Sequence, residues 1–302
     1  MVYEKRSGHI GGSFSLAEII AYLYSNFDLT SDKKYSPKLI LSKGHAVPIL
    51  YAVLFELGLI TNEEISLFRE INSPLQGHPD KNKLKFMHAT TGSLGQGLSI
   101  SIGHALGLKM NSSSNPCFCI VGDGEIQEGQ IWEAFMLAPK FKLNNLIVFI
   151  DYNGSQNDGF VKNTLDLEPI TEKILAFNWN VISISGHDMD EIDAAVKTGL
   201  NNKDKPTCIL MKTQKGRGVS FLEDPVWHAK VPNEEEYLKI IPKDRQTMGR
   251  TMDETEFPFY IVQSSEYENY CLHYEGGGLG IRETANYDAQ KWDVSKDNIT
   301  QD

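Results

Sequence analysis

The chain has 302 residues, enough for two average domains or for one large α/β domain with an extension, and its composition is that of an ordinary soluble globular protein. A formal net charge of −11 argues against general affinity for nucleic acid or anionic membranes, so an anionic substrate would need its own cluster of donors. Four cysteines without disulfide or zinc spacing, and the lack of a signal or membrane-spanning stretch, predict a cytoplasmic protein with reduced thiols.

The first third of the chain predicts helices that follow glycine-containing loops. A capping box at Ser15 predicts a helix just after SGHIGGS, and another at Thr61 predicts a helix further along. Between them a helix should follow LSKGH, with Pro48 in its first turn. A helix over residues 92–108 is rich in Gly, Ser and Ala, which predicts close packing against another backbone.

The period of the apolar residues changes from Cys117 onward. Helical segments separate four short apolar runs, which are CFCIV, LIVFI, NVISI and TCILM. Strands that alternate with helices predict an α/β protein with a doubly wound, mostly parallel sheet and helices on both faces. Right-handed crossovers would then bring the carboxyl ends of the strands to one edge, where ligands usually bind.

The composition changes again near residue 241. Residues 243–302 carry six Lys or Arg against twelve Asp or Glu, together with several tyrosines and a GGGLG run. We therefore expect one domain over residues 1–241. Over residues 242–302 we expect an acidic extension of unknown role, with weak strands near residues 259–262.

Two predicted strands run into polar residues that could hold a metal ion. CFCIV is followed by GDG at residues 122–124, and LIVFI is followed by DYN at residues 151–153. Asp123 and Asn153 are 30 positions apart, the length of one turn, one helix and one strand, which would put them at adjacent strand ends. Mg²⁺ binds carboxylate and amide oxygens and usually completes its shell with phosphate oxygens and water.

The glycines beside Asp123 predict a phosphate site next to this metal. Gly122 and Gly124 would let the backbone approach a diphosphate, and a helix beginning near Glu128 or Gln130 would point its N-terminal dipole there. GDG is also an ordinary turn sequence, because Gly and Asp favour turns on backbone grounds. On these residues alone both interpretations stay open.

Six sequence blocks, in order over residues 7–237, resemble the motifs of the transketolase family. They are SGHIGGS, LSKGHA, LQGHPD, ATTGSLGQGLS, GDGEIQEGQIWEA with NLIVFIDYN, and KGRGVSFLEDPVWH. The resemblance implies a thiamine diphosphate-binding fold, with thiamine diphosphate and Mg²⁺ as cofactors. It further implies the cofactor-binding N-terminal subunit of a split transketolase, which moves a two-carbon ketol unit from a ketose phosphate to an aldose.

The resemblance also implies roles for the residues around the predicted metal. Asp123 and Asn153 would be its side-chain ligands, and the backbone carbonyl of Ser155 would be a third ligand. Gly124 and His45 would contact the diphosphate.

Matched positions further along would contact the rest of the cofactor and another subunit. Gly92 and Leu94 would lie against the aminopyrimidine and the thiazolium. Glu128 would lie at a subunit contact that links two active sites, so the resemblance implies self-association through the cofactor domain.

Three more histidines in matched blocks are the candidate catalytic residues. Ketol transfer makes and breaks C–O–H bonds at neutral pH, where histidine titrates more readily than other side chains. By resemblance His9 and His228 would exchange protons with substrate hydroxyls, His228 also lying beside the cofactor. His78 would hold the terminal hydroxyl of the donor.

The residues that complete the family's active site are not recognisable in this sequence. The family places a glutamate beside the aminopyrimidine from a second, pyrimidine-binding domain of another subunit, and about 60 remaining residues are too few for such a domain. We therefore expect a heterotetramer with two pyrimidine-domain chains, and a chain that is catalytically silent alone. The helix that precedes SGHIGGS in the family is nearly absent, which would weaken the dimer contact.

Two alternatives stay open on the sequence. Another thiamine diphosphate enzyme, of the 2-oxoacid dehydrogenase or deoxyxylulose phosphate synthase type or from specialised metabolism, would keep the metal residues, although GHIGG and QGHPD favour transketolase. A non-catalytic scaffold would fit the short N-terminus and the acidic tail. The retained Asp123 and Asn153, with the four block histidines, argue for an enzyme.

Overall fold

A computed structural model describes residues 1–241, 270–275 and 278–283 of the chain. The chain separates into two compact units, Met1–Val231 and Pro232–Asp302. All the predicted site residues lie in the first unit.

The first unit alternates helices and strands. Its helices are α1 (Gly11–Phe14), α2 (Ala17–Asn26), α3 (Val47–Glu56), α4 (Asn62–Ser66), α5 (Gln96–Met110), α6 (Gly129–Lys140), α7 (Val161–Thr164), α8 (Ile170–Ala176) and α9 (Met189–Asn201). Its strands are β1 (Lys38–Leu41), β2 (Cys117–Gly122), β3 (Leu146–Tyr152), β4 (Ser155–Gln156), β5 (Gly159–Phe160), β6 (Asn180–Ser185) and β7 (Thr207–Lys212). The four strands predicted from apolar runs are confirmed as β2, β3, β6 and β7, and β1 was not predicted.

Five of these strands form one sheet in the order β1-β2-β3-β7-β6, and every neighbouring pair is parallel. β4 and β5 form a separate short antiparallel hairpin. The predicted α/β fold with a mostly parallel sheet is therefore confirmed. Because parallel strands share one direction, the carboxyl ends of β2, β3 and β7 lie together at one edge, which we call the site edge.

Helices cover both faces of the sheet, which explains why the inner strands β2, β3 and β7 are largely apolar and buried. Cys117, Cys119 and Val121 of β2 pack in a core with residues of α5 and α6. Phe118 points to the opposite face, where its ring contacts the rings of Phe27 and Phe149. Helix α9 packs against α2, β3, β6 and β7.

The cysteines in the apolar runs are structural. Cys117, Cys119 and Cys208 are buried free thiols, and burial raises the pKa of each. Cys271 lies outside the residues whose side chains are described. Among the described residues, no helix is long and apolar enough to cross a membrane.

The predicted helix starts are confirmed in two places and wrong in one. Thr61 and Glu64 form a capping box at α4, and Pro48 lies in the first turn of α3. Ser15 does not cap α2, whose N-cap is Leu16; the Ser15 hydroxyl donates to the Gly12 carbonyl and to Asp151. The charge-assisted bond to the buried Asp151 carboxylate fixes the orientation of this side chain, and no N–H of α2 donates to it.

The second unit contains helix α10 (Glu234–Ile240) and strands β8 (Tyr270–Glu275) and β9 (Gly278–Glu283). Asn233 and Glu236 form a capping box at the start of α10. β8 and β9 pair as an antiparallel hairpin. The strands predicted near residues 259–262 lie outside the described residues.

Candidate functional site

The carboxyl ends of β2 and β3 bring the predicted metal ligands together. Asp123 follows β2 and Asn153 follows β3, and Gly122 pairs in register with Asp151. The N–H of Gly154 donates to Asp123 Oδ2 at 2.5 Å, which joins the two strand ends directly. The structure therefore has the adjacency that the 30-residue spacing predicts.

Asp123 is a buried carboxyl group that forms no ion pair with another described residue. It is 2% exposed, and the N–H groups of Gly124 and Gly154 donate to its two oxygens. Burial, and after it the charge of Asp151, raises the pKa of Asp123 to about 7. A bound cation would favour the ionised carboxylate, so this residue fits a Mg²⁺ ligand.

Asn153 has a fixed amide orientation. Its Nδ2 donates to Asp151 Oδ2 at 3.0 Å, and its Oδ1 accepts the N–H of Ser155 at 3.1 Å. The amide donor is thus engaged, and the oxygen has a lone pair left for a metal. The Ser155 carbonyl accepts a hydrogen bond from Lys215 Nζ at 3.0 Å.

The oxygen groups around this position match the preference of Mg²⁺. Within the described part of the chain, no three His, Cys, Asp or Glu side chains could share a metal ion. One carboxylate, one amide oxygen and one carbonyl are therefore what the chain offers. Mg²⁺ is bound in this way when phosphate oxygens and water supply the other ligands.

A second buried carboxylate, Asp151, organises the residues around the metal position. It accepts hydrogen bonds from Ser15 Oγ at 2.6 Å, from Asn153, from Thr213 Oγ1 and from Lys43 Nζ, with which it forms an ion pair. Burial alone would raise the pKa of Asp151, but the Lys43 charge and these hydrogen bonds lower it below its ordinary value. The group therefore joins the ends of β1, β3 and β7 as a carboxylate.

Three of the four block histidines form a cluster beside the metal position. The ring centroids of His45 and His228 are 4.9 Å apart, and those of His9 lie 5.2 Å from His45 and 5.5 Å from His228. They come from the SGHIGGS loop and from the helical turns Gly44–Ala46 and Pro225–His228. Segments far apart in the sequence thus supply one group of imidazoles.

Burial keeps these imidazoles neutral. Burial, with the charge of Lys215 next in size, lowers the pKa of His228 to about 3. Burial, with Arg69 next, lowers the pKa of His9 to about 4, and burial lowers that of His45 well below its usual value. A neutral imidazole offers one donor and one acceptor nitrogen to a substrate hydroxyl.

Two lysines make the same cluster suitable for an anion. Lys43 and Lys215 are each 2% exposed, and burial followed by the Lys43 charge lowers the pKa of Lys215 to about 8. Lys215 Nζ also lies 3.0 Å from His228 Nδ1. His9 Nδ1 is buried without a hydrogen-bond partner among the described residues. Buried cations and an unused polar atom fit a diphosphate, which would supply negative charge and acceptors.

The remaining predicted residues lie on the segments before α5 and α6. Gly92 has a φ of +136°, and a Cβ there would lie 2.8 Å from the His78 ring. His78 and Leu94 are exposed, so they are accessible to a substrate and to an apolar ring. Glu128 is exposed at the N-cap of α6, which begins at Gly129 after a helical turn over Gly124–Gln127.

Four residues of this site carry charge that the sequence analysis did not assign. Lys43 lies in the LSKGH block, Lys215 in the KGRG block, Asp151 before the predicted ligand Asn153, and Glu125 directly after GDG. All four are buried. A charged residue inside a matched block was the signal that could have found them, because charged side chains are rarely buried without a partner or a ligand.

We expect cofactor-free His228→Gln to gain stability relative to the wild type as the pH falls from about 7 to about 5. An unfolded histidine has a pKa of about 6.5, so the unfolded state binds a proton that folded His228 does not, and folding stability falls with pH in this window. Gln does not titrate, and its amide oxygen can still accept from Lys215. The difference in Tm, variant minus wild type, should rise by several degrees. A Tm difference that stays constant over this range would contradict the low pKa of His228 in the folded protein.

The comparisons with known proteins identify the family. The family described as "Transketolase, thiamine diphosphate binding domain" matches residues 1–236. The chain belongs to this family, and it corresponds to the N-terminal, cofactor-binding part of a transketolase. The family membership predicted from the six sequence blocks is therefore confirmed.

Two bacterial relatives are separate transketolase subunits. A 6-deoxy-6-sulfo-D-fructose transketolase subunit of Clostridium sp. (strain MSTE9) is 43% identical over 222 residues, which cover 72% of this chain and 80% of the relative. An apulose-4-phosphate transketolase subunit of Phocaeicola vulgatus is 35% identical over 248 residues, covering 80% of this chain and 87% of the relative. Human transketolase is 38% identical over 234 residues, but these cover only 36% of its length.

Solved structures give the same result for the fold. Transketolase from Campylobacter jejuni superposes with a TM-score of 0.73 at 30% identity, over 79% of this chain and 39% of that one. Transketolase of Pichia stipitis in complex with fructose 6-phosphate superposes with a TM-score of 0.74 at 27% identity, over 79% of this chain and 37% of that one. The chain thus spans well under half of these full-length transketolases.

Proposed function

We propose that this chain is the cofactor-binding subunit of a two-subunit transketolase, which transfers a two-carbon ketol unit from a ketose phosphate, or a related anionic ketose, to an aldose. The proposal depends on one observation at the site edge, which is that oxygen groups suited to a metal lie next to cationic and imidazole groups suited to an anion. Oxygens suited to Mg²⁺ adjoin two buried lysines and a cluster of partly buried histidines, which together suit a diphosphate. A diphosphate bound to Mg²⁺ satisfies both.

The metal would be held by Asp123, Asn153 and the Ser155 carbonyl. Asp151 accepts the hydrogen bond from Asn153 Nδ2, and this orients the amide so that Oδ1 is available to a metal. Lys215 Nζ, now on the Ser155 carbonyl, is placed to turn toward a phosphate oxygen. The divalent charge would offset the buried carboxylate of Asp123 and part of the diphosphate charge.

Thiamine diphosphate, when bound, supplies the carbon chemistry of ketol transfer, and the protein supplies position and proton transfer. His45 and Gly124 would contact the diphosphate, as Lys43 and Lys215 would by their charge. Gly122 would lie beside it, and Gly92 and Leu94 would lie against the rings.

The histidines would handle the substrate. His9 and His228 are neutral in the folded chain, so each has a nitrogen that can accept a hydrogen bond from a substrate hydroxyl. The negative charge of a bound diphosphate would raise their pKa values toward the range in which an imidazole exchanges protons at neutral pH. His78 is exposed beside Gly92, where it would hold the terminal hydroxyl of the donor. His9 and His228 are partly buried within the cluster and His78 is exposed, which supports different roles for them.

The partner proposed here is a pyrimidine-domain chain. The chain covers 80% and 87% of two relatives named as subunits, but only 36% of human transketolase. The rest of the active site would then come from a second polypeptide, in a cytoplasmic heterotetramer of two and two. Self-association would place Glu128 at the contact between cofactor domains.

Calorimetric titration with thiamine diphosphate in the presence of Mg²⁺ tests this proposal, with and without a candidate pyrimidine-domain subunit. We expect binding that appears or tightens when the partner is present, and binding that is lost when Mg²⁺ is removed with a chelator. Absence of binding in both arms, from a folded protein, would reject the proposal.

We expect His228→Ala to leave folding intact while lowering turnover of the reconstituted complex by about 100-fold, within the 10²–10⁴ range of a general acid–base group. The thermal unfolding midpoint and the donor KM should change little. His104→Ala serves as a control, because that partly buried residue lies on α5 away from the cluster. Turnover equal to that of the wild type would show that His228 transfers no proton.

A further inference from the structure

Glu125 is a buried carboxylate that the proposed chemistry does not use. It is 3% exposed and lies in the helical turn Gly124–Gln127, directly after the GDG block. It forms no ion pair with another described residue. A carboxylate in such a place is costly unless its hydrogen bonds compensate for lost water, so its partners indicate its role.

All the donors to Glu125 come from segments that carry site residues. Oε1 accepts from Ser42 Oγ at 2.5 Å and from the Gly95 N–H at 3.0 Å, and Oε2 accepts from the Gly122 N–H at 3.1 Å. These donors lie in the LSKGH, TTGSLG and GDG blocks, which are separate in the sequence. One side chain therefore joins three segments that carry proposed site residues.

Each donor is adjacent to a residue that would meet the cofactor or the metal. Ser42 precedes Lys43, Gly95 follows Leu94, and Gly122 precedes Asp123.

Gly95 has a φ of +83°, in the left-handed region, and it is the N-cap of α5. Its N–H bond to Glu125 therefore sets where α5 begins and where the preceding Leu94 lies.

We propose that Glu125 is a positioning residue, which holds the segments of Lys43, Leu94 and Asp123 in the arrangement that thiamine diphosphate requires. The proposal rests on the proposed function. Glutamine cannot replace the carboxylate fully. Its amide nitrogen would face the N–H of either Gly95 or Gly122, and one of these bonds would be lost.

The test compares Glu125→Gln with Glu191→Gln in the full chain. Glu191 is an exposed control whose carboxylate also accepts a backbone N–H, that of Ser185 at 2.7 Å on the edge strand β6. Two measurements are made, calorimetric binding of thiamine diphosphate with Mg²⁺ under conditions where the wild type binds, and hydrogen–deuterium exchange of the cofactor-free protein.

For Glu125→Gln we expect binding weaker by about tenfold or more, the effect of one buried hydrogen bond to a charged group. Exchange should be faster in peptides that contain Gly95 and Gly122 and unchanged in β3 and β7. The control should bind within about twofold of the wild type. Unchanged affinity would overturn the proposal, and so would exchange that accelerates equally throughout the sheet, because that pattern means a general loss of stability.

Ser42→Ala is the second variant, for use if Glu125→Gln does not fold. It removes one donor and keeps both backbone bonds, so we expect a smaller loss of about threefold, with faster exchange in the same peptides. Unchanged affinity and exchange would overturn the proposal. If the wild type itself does not bind thiamine diphosphate, the proposed function fails, and the exchange data alone decide whether Glu125 holds these segments.

Discussion

Replacing Asp123 with Asn is expected to weaken Mg²⁺-dependent binding of thiamine diphosphate by at least about 100-fold, because loss of a group that only supports a metal ligand already costs 10–100-fold. The cofactor-free variant should nevertheless be at least as stable as the wild type. Asp123 is buried, and its pKa of about 7 lies above that of an unfolded Asp. Above the unfolded pKa its charge therefore opposes folding, and a neutral amide removes this cost. One hydrogen bond from Gly124 or Gly154 is lost in exchange, a cost of about 1 kcal/mol.

Calorimetry and thermal unfolding of the same preparations check both parts of this prediction. Asp158→Asn is a matched control, since Asp158 is exposed in the turn between β4 and β5. We expect the control to bind the cofactor like the wild type. Unchanged affinity in Asp123→Asn would show that Asp123 does not hold the metal, whatever happens to stability.

The sheet was predictable because its buried strands are rich in apolar residues. Helices lie on both faces, so β2, β3 and β7 contain continuous apolar runs that stand out from the helical segments between them. β1 was missed because it has only four residues, Lys38–Leu41, and one of them is a lysine. A strand that short has too few positions to show a period.

The adjacency of the two proposed metal ligands was predictable because both residues follow recognisable strands. Asp123 and Asn153 needed only the rule that parallel strands end at one edge. The histidine cluster could not be found in that way. His9, His45 and His228 come from loops and turns whose mutual distance depends on the complete fold, and only their place in family motifs marked them.

The charged residues that support the site could not be assigned without coordinates. Lys43 and Asp151 are 108 positions apart, and each alone would be read as an exposed residue. Ser15 is a second residue whose role depends on a distant partner. A local pattern predicts a helix cap there, whereas the hydroxyl bonds to Asp151, 136 residues away. Burial of charge is a tertiary property, and it overrides local preferences when the partner is an ionised group.

Asp151→Asn is expected to lower the free energy of unfolding by about 3–5 kcal/mol, because it leaves the ammonium group of Lys43 buried without its counter-charge. Lys43 is 2% exposed and Asp151 is fully buried, so water cannot replace the lost interaction. For a domain of this size the loss corresponds to a fall in Tm of about 6–20 °C. Glu235→Gln is a suitable control, since its ion pair with Lys239 is exposed and should contribute little.

The double variant Lys43→Met/Asp151→Asn distinguishes the interaction between the two charges from the contribution of each residue alone. Removing both charges avoids an unpaired buried ion, so this variant should be more stable than Asp151→Asn alone by about 1–3 kcal/mol, the size of coupling between residues in contact. It should still bind the cofactor poorly, because it lacks the Lys43 charge proposed to attract the diphosphate and because Asn153 loses its carboxylate partner. Additive losses of stability in the double variant would mean that the two charges act independently. Recovery of binding together with stability would mean that the pair serves the fold alone.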